Sequence, residues 1–266
     1  MLIWKFQCHF ERLPLGARPR RDKCVDGFTL VELLAVVAVV GILAALLLPV
    51  LVGAKTQAQR TTCLGNLKQI NLGFIQYAGA NGDALPGVPD MDAHGGPDAF
   101  AFFYKPLVMN DVGLLGAPSP QDKLFHCPAD TFFYDRWTGY VAKSAYHQPE
   151  TSYSSYAYNA LNGSTNSPPT LPDQTAAPGL MGRRLSSIRD PVRTVLVAEL
   201  SAFVPWSWHK PQLMPAGQKG INNAMNMVSF ADGHLNYIKI YWNADYGYPS
   251  AFYDPPAGYD YKWSAD

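Results

Sequence analysis

Four places in the chain hold residue types that could do chemistry. Glu32 is the only formal charge in the twenty-five residues from Phe28 to Val52. A carboxylate inside so apolar a run needs a reason to be there. One reason is a capping box, with Thr29 as N-cap and Glu32 three residues on. Another is an ion pair: a cut between Gly27 and Phe28 would create an α-amino group, which the carboxylate of a neighbouring copy could meet. His126-Cys127-Pro128-Ala129-Asp130 places an imidazole beside a thiol, but no second ligand pair follows at zinc-type spacing, so a turn is expected. Asp232-Gly233-His234 offers a carboxylate and an imidazole across a glycine; a tight turn needs Asp and Gly there for its backbone angles, with or without any reaction. Cys63 and Cys127 remain once Cys8 and Cys24 are set aside in the first 27 residues. In an oxidising compartment they form a possible disulfide, the other reading being two buried thiols.

The elements that carry these residues follow from pattern. As a helix, residues 28–52 would be roughly 37 Å long, enough to cross a hydrocarbon core of about 30 Å with some tilt. Pro49 should kink or loosen it. Beyond residue 53 the pattern turns amphipathic: Ala58, Thr61, Leu64, Leu67, Ile70 or Asn71, Phe74 and Tyr77 recur at three- and four-residue spacing. The helix is expected to stop at Gly79-Ala80-Asn81-Gly82-Asp83. Residues 84–125 and 162–182 are rich in Gly and Pro or in Ser, Thr and Pro, and read as loops, with a short apolar element around Ala99–Met109. Thr194–Glu199 reads as a central strand, and the two alternating runs joined through Asp232-Gly233 read as a hairpin. The fold expected is α+β, a long N-terminal helix with its second half packed on an antiparallel sheet. The divisions are 1–27 (basic leader), 28–52 (membrane-spanning helix), 53–80 (its amphipathic continuation) and 81–266 (a β-rich domain).

A basic stretch ending in Gly27, then Phe28-Thr29-Leu30-Val31-Glu32 and a long apolar helix, resembles the prepilin signal of the type IV pilin and type II secretion pseudopilin family. The resemblance implies cleavage after Gly27 by a prepilin peptidase, N-methylation of Phe28, and a part for Glu32 in docking protomers. It also implies the pilin shape. Gly41 and Pro49 fall where pilins often carry helix-loosening residues. Cys63-Leu64-Gly65-Asn66-Leu67-Lys68-Gln69, the Cys-Pro-x-Asp of residues 127–130 and Ser155-Tyr156-Ala157-Tyr158-Asn159 resemble segments of one pilin-like group, known by a His, nine residues and Asp-Gly near the C-terminus. Here Asp232 and Gly233 are present, but Asn222 stands in the histidine's place.

Charge agrees with a membrane-anchored subunit. The 266 residues have no net charge, yet residues 1–27 hold six Lys or Arg against three acids, and the remainder holds 15 basic and 18 acidic residues. A basic leader before an apolar span places the N-terminus in the cytoplasm and the C-terminal domain outside, and the resemblance implies that this single pass is through the inner membrane. The mildly acidic remainder gives no reason to expect a nucleic-acid partner. The partners implied are the prepilin peptidase, the lipid bilayer before assembly, the inner-membrane assembly platform, and other copies or other pilin-like subunits in a periplasmic or cell-surface filament. No nucleophile elbow, metal-ligand spacing or phosphate loop occurs, so neither an enzyme nor a cofactor is expected. The alternative is a membrane-tethered or filament-tip module that grips a glycan or surface polymer through its tail, where ten aromatics lie in the 33 residues from His234 to Asp266. Packing at the edge of the β-domain is the competing use of those rings.

Overall fold

The computed structural model describes residues 29–87, 104–131, 133–135, 139–141, 144–160, 179–203, 206–213, 220–243 and 250–266. Contacts divide the chain into two units, one ending at Lys55 and one running from Thr56 to Asp266. Helix α1 (Leu30–Ala80) is continuous for 51 residues, through both Gly41 and Pro49. Pro49 stands inside the helix and does not end it. The proline removes one donor, and apolar residues that favour continued helix flank it on both sides. The helix ends where glycine and turn residues allow it: Asp83 N–H donates to the Ala78 carbonyl at 2.8 Å, and Gly82 and Asp83 take φ values of 66° and 72°.

Among the described residues of the second unit the strands are β1 (Phe133–Asp135), β2 (Gly139–Val141), β3 (Tyr156–Tyr158), β4 (Val195–Glu199), β5 (Ala224–Phe230) and β6 (Leu235–Ile240). Strands β1 and β2 form a separate antiparallel pair; the main sheet has the order β3-β4-β5-β6, every pair antiparallel. The apolar stripe of α1, Cys63, Leu67, Ile70, Phe74 and Ala78, packs with Tyr156, Tyr158, Leu196 and Met227 of the sheet. Each stripe residue is at most 1 % exposed, so the 3.6-residue period is spent on the sheet. The fold is thus α+β, a long N-terminal helix on a four-stranded antiparallel sheet. Of the short apolar element expected near 99–109, residues 99–103 lie outside the described residues, and Tyr104–Val108 form a one-turn helix.

The other face of the sheet is covered by the end of the chain. Tyr261, Trp263 and Ala251 pack with Val195, Ala198, Val228 and Phe230. In β4, Leu196 and Val197 join the helix-side cluster while Val195 and Ala198 join the other. A register irregularity between Val195 and Val197 breaks the strict alternation that would forbid this. Of the C-terminal aromatics, Trp242, Tyr253, Tyr261 and Trp263 are all 6 % exposed or less. These four rings pack inside the domain.

Two buried polar residues, Asp130 and Asn159, account for the short polar motifs at residues 127–130 and 155–159. Asp130 accepts hydrogen bonds from Ala145 N–H (3.1 Å), Tyr146 N–H (3.0 Å), Ser144 Oγ (3.0 Å) and Ser155 Oγ (2.8 Å). Burial pushes its carboxyl above the usual aspartate range, and the four donors pull it part of the way back. Asn159 donates from Nδ2 to the carbonyls of Val195 and Trp263, both at 2.7 Å, pinning the C-terminal segment to β4. Each buried donor left without an acceptor costs about 1–3 kcal/mol. We therefore expect Asp130→Ala to lose at least about 3 kcal/mol of unfolding free energy, read as a lower denaturant midpoint; a midpoint equal to wild type would refute this role for Asp130.

Candidate functional site

Two features stand apart from ordinary packing. The first is the leading half of α1. From Leu30 to Val52 its leucines, valines and isoleucine are 51–73 % exposed. Among the described residues, α1 is the one helix long and apolar enough to cross a membrane. A row of large apolar side chains left this open is a surface meant for lipid or for other helices. Its start is fixed by a reciprocal cap. Thr29 N–H donates to Glu32 Oε2 at 2.9 Å, Thr29 Oγ1 donates to the same oxygen at 2.7 Å, and Glu32 N–H donates to Thr29 Oγ1 at 3.3 Å. The capping-box geometry is therefore present, and the Glu32 carboxylate is held by its own turn. An intermolecular partner would compete with the Thr29 bonds. Gly27 and Phe28 lie outside the described residues.

The second feature is a buried cluster centred on the cysteines. Cys63 of α1 and Cys127 are joined by a disulfide, their α-carbons 5.0 Å apart across 64 residues of sequence. Asn66 Nδ2 donates to the His126 carbonyl at 2.8 Å, and Gln59 Nε2 donates to the Pro128 carbonyl at 3.0 Å. Side chains of α1 thus hold the main chain on both sides of Cys127. His126 turns away and stacks on Tyr146, ring centroids 4.3 Å apart. The groups that do meet the sulfurs are Glu199, at the end of β4, and His209. Glu199 Oε1 lies 3.2 Å from Cys127 Sγ, and His209 Nε2 lies 3.5 Å from the same sulfur. The carboxylate and imidazole are 2.8 Å apart, and both side chains are fully enclosed. Glu199 Oε2 accepts from Met227 N–H at 3.0 Å, and His209 Nδ1 is buried with no partner among the described residues.

Sequence reasoning missed Glu199 and His209. Positions 63, 127, 199 and 209 have no motif spacing, because the four residues come from different elements. One signal was available: Glu199 closes a strand whose other residues are all apolar, and a carboxylate buried there must have a partner.

Asp232 and Gly233 form the β5–β6 turn, with Gly233 at φ 92°, a value that suits glycine. Asp232 Oδ1 accepts from His234 N–H at 3.1 Å and lies 2.6 Å from His234 Nδ1, on the surface. The helix binds this turn through its main chain. Asn71 Nδ2 donates to the Phe230 carbonyl at 2.9 Å, and Lys68 Nζ donates to the Gly233 carbonyl at 2.6 Å. The Asp-Gly pair therefore serves a turn that docks on α1. Asn222, in the place of the group's histidine, accepts from Trp242 N–H at 3.0 Å.

Residues 22–48 match the family model described as the prokaryotic N-terminal methylation motif. No curated protein and no solved structure matches the chain. The match covers the end of the basic stretch, Gly27, Phe28, Glu32 and most of the exposed apolar run. The chain therefore carries a type IV pilin-like prepilin signal ahead of a membrane-anchoring helix.

Proposed function

We propose that the protein is a structural subunit of a type IV pilus-like or type II secretion pseudopilus filament. Prepilin peptidase cuts between Gly27 and Phe28 and methylates the new terminus. The observation that carries this reading is the coincidence of the methylation motif with the uncovered half of α1. The signal specifies where the chain is cut, and the helix behind it offers an exposed apolar surface. Before assembly the bilayer covers that surface. In the filament, the same helix from other copies, or from other pilin-like subunits, covers it instead. Lipid and helix surfaces are about equally apolar, so the exchange is nearly neutral, and close packing with polar contacts sets the arrangement. In this scheme the domain from Thr56 onward faces the exterior, its disulfide matched to an oxidising compartment.

The decisive experiment is the intact mass and N-terminal peptide of the protein recovered from membranes that contain its cognate prepilin peptidase. The expected terminus is N-methyl-Phe28. A terminus at Met1 would make α1 a plain anchor, and one near Lys55 would indicate a secreted domain; either would overturn the subunit reading.

A further inference from the structure

Cys63, Cys127, Glu199 and His209 each offer one ligand atom, and these atoms all lie within 4.8 Å of one another in the interior. We propose that reduction of the Cys63–Cys127 disulfide turns this cluster into a tetrahedral site for a zinc-type divalent cation. The ligands are Cys63 Sγ, Cys127 Sγ, Glu199 Oε1 and His209 Nε2.

A zinc tetrahedron with bonds of about 2.0–2.3 Å has ligand–ligand edges of roughly 3.3–3.8 Å. The edges from Cys127 Sγ to Glu199 and His209 are already 3.2 and 3.5 Å, and the Glu199–His209 edge, at 2.8 Å, must lengthen by about half an ångström. Once the S–S bond is broken, non-bonded repulsion parts the two sulfurs to about 3.7 Å, the sulfur–sulfur edge of such a site.

Preorganisation is the second step. Each of the four ligands has contacts besides the disulfide that hold it in place. Cys63 is on the buried face of α1. Cys127 is flanked by the Asn66 and Gln59 clamps, and its own N–H donates to Ser155 Oγ at 3.0 Å. Glu199 is aimed by Met227 N–H, and the His209 carbonyl accepts from the Arg60 guanidinium at 3.2 Å. The donor set completes the case: two thiolates, an imidazole and a carboxylate suit zinc far better than magnesium or calcium.

The redox step balances with a phosphine as reductant. The phosphine gives two electrons to the disulfide and takes the oxygen of a water molecule; the two protons of that water go to the sulfurs, leaving two thiols and a phosphine oxide. Binding of the cation then displaces the two thiol protons to solvent, so affinity rises with pH. The oxidised protein lacks thiolates and does not form the site.

Cobalt(II) is the probe, added to the full chain in detergent. The phosphine-reduced protein should bind one cobalt per chain, with the visible bands of tetrahedral cobalt and the near-ultraviolet band of thiolate-to-cobalt charge transfer. The oxidised protein should show neither. Glu199→Gln and His209→Asn should each weaken cobalt binding by at least about tenfold, since even loss of a residue that only supports a ligand does that much. Circular dichroism taken alongside follows the fold. If reduction loosens the domain, cobalt should restore its spectrum as the bands grow. The proposal is overturned if the reduced protein gives no charge-transfer band, if both variants bind as tightly as wild type, or if the bands grow on a domain that stays unfolded. This test reads the domain alone, so its failure leaves the filament reading untouched.

Discussion

Reduced in the presence of a chelator, or carrying the double change Cys63→Ser and Cys127→Ser, the domain is expected to lose about 4 kcal/mol of unfolding free energy. The bridge closes a loop of 64 residues, and the chain-entropy account gives about 4 kcal/mol for a loop of that size. The location raises the stakes. Both cysteines are fully buried in the cluster that joins α1 to β3, β4 and β5. Releasing them also leaves the Glu199–His209 pair beside two thiols in place of a bridge. Against a typical total of 5–15 kcal/mol, a 4 kcal/mol loss leaves a domain that still folds, with a far lower denaturant midpoint. Denaturant titration of the oxidised, reduced and doubly substituted proteins measures the difference. Coincident midpoints would show that α1 is held to the sheet by packing alone. The chelator matters, because the cation proposed above would bind the reduced form and mask part of the loss.

The helix was legible because its signals are local. Leu64, Leu67, Ile70 and Phe74 recur at helical spacing, and Gly79 to Asp83 hold both termination residues and the positive backbone angles that the end of α1 uses. The β5–β6 hairpin was legible for the same reason, since Asp232-Gly233 sits between two alternating runs. What the sequence left hidden is what several distant segments build together. Nothing local tells that Asp130 gathers donors from residues 144, 145, 146 and 155, or that Glu199 and His209 meet a disulfide formed 64 residues apart. The aromatic tail shows a different limit. Tyr and Trp beside Asp and Gly suit a sugar platform and a sheet cover equally well, and only burial tells them apart. Trp263, fully enclosed against Phe203 with centroids 5.1 Å apart, belongs to the cover.

The Glu32 variants carry the largest expected effect on assembly, and they separate the two uses of its carboxylate. In the isolated chain Glu32 caps α1 through Thr29. If capping were its whole purpose, Glu32→Gln would be nearly silent, since the amide oxygen can still accept from Thr29 N–H, and Glu32→Ala would cost the helix end about 1 kcal/mol. A helix of 51 residues does not depend on that. In the filament reading, the carboxylate also meets the amino terminus that cleavage leaves on Phe28 of a neighbouring copy. Methylation keeps that terminus positive, and among apolar helices an unpaired charge is expensive: removing one partner of a buried pair costs about 3–5 kcal/mol. Glu32→Gln and Glu32→Ala should then both be cut and methylated at Phe28 like wild type. Both should enter filaments at least about tenfold less, because even 1.4 kcal/mol per protomer corresponds to that factor. Mass spectrometry of the N-terminal peptide reads the first expectation, and the yield of sheared filaments reads the second. Wild-type yield from Glu32→Gln would confine Glu32 to capping its own helix, and failure of cleavage in either variant would place the residue in recognition by the peptidase.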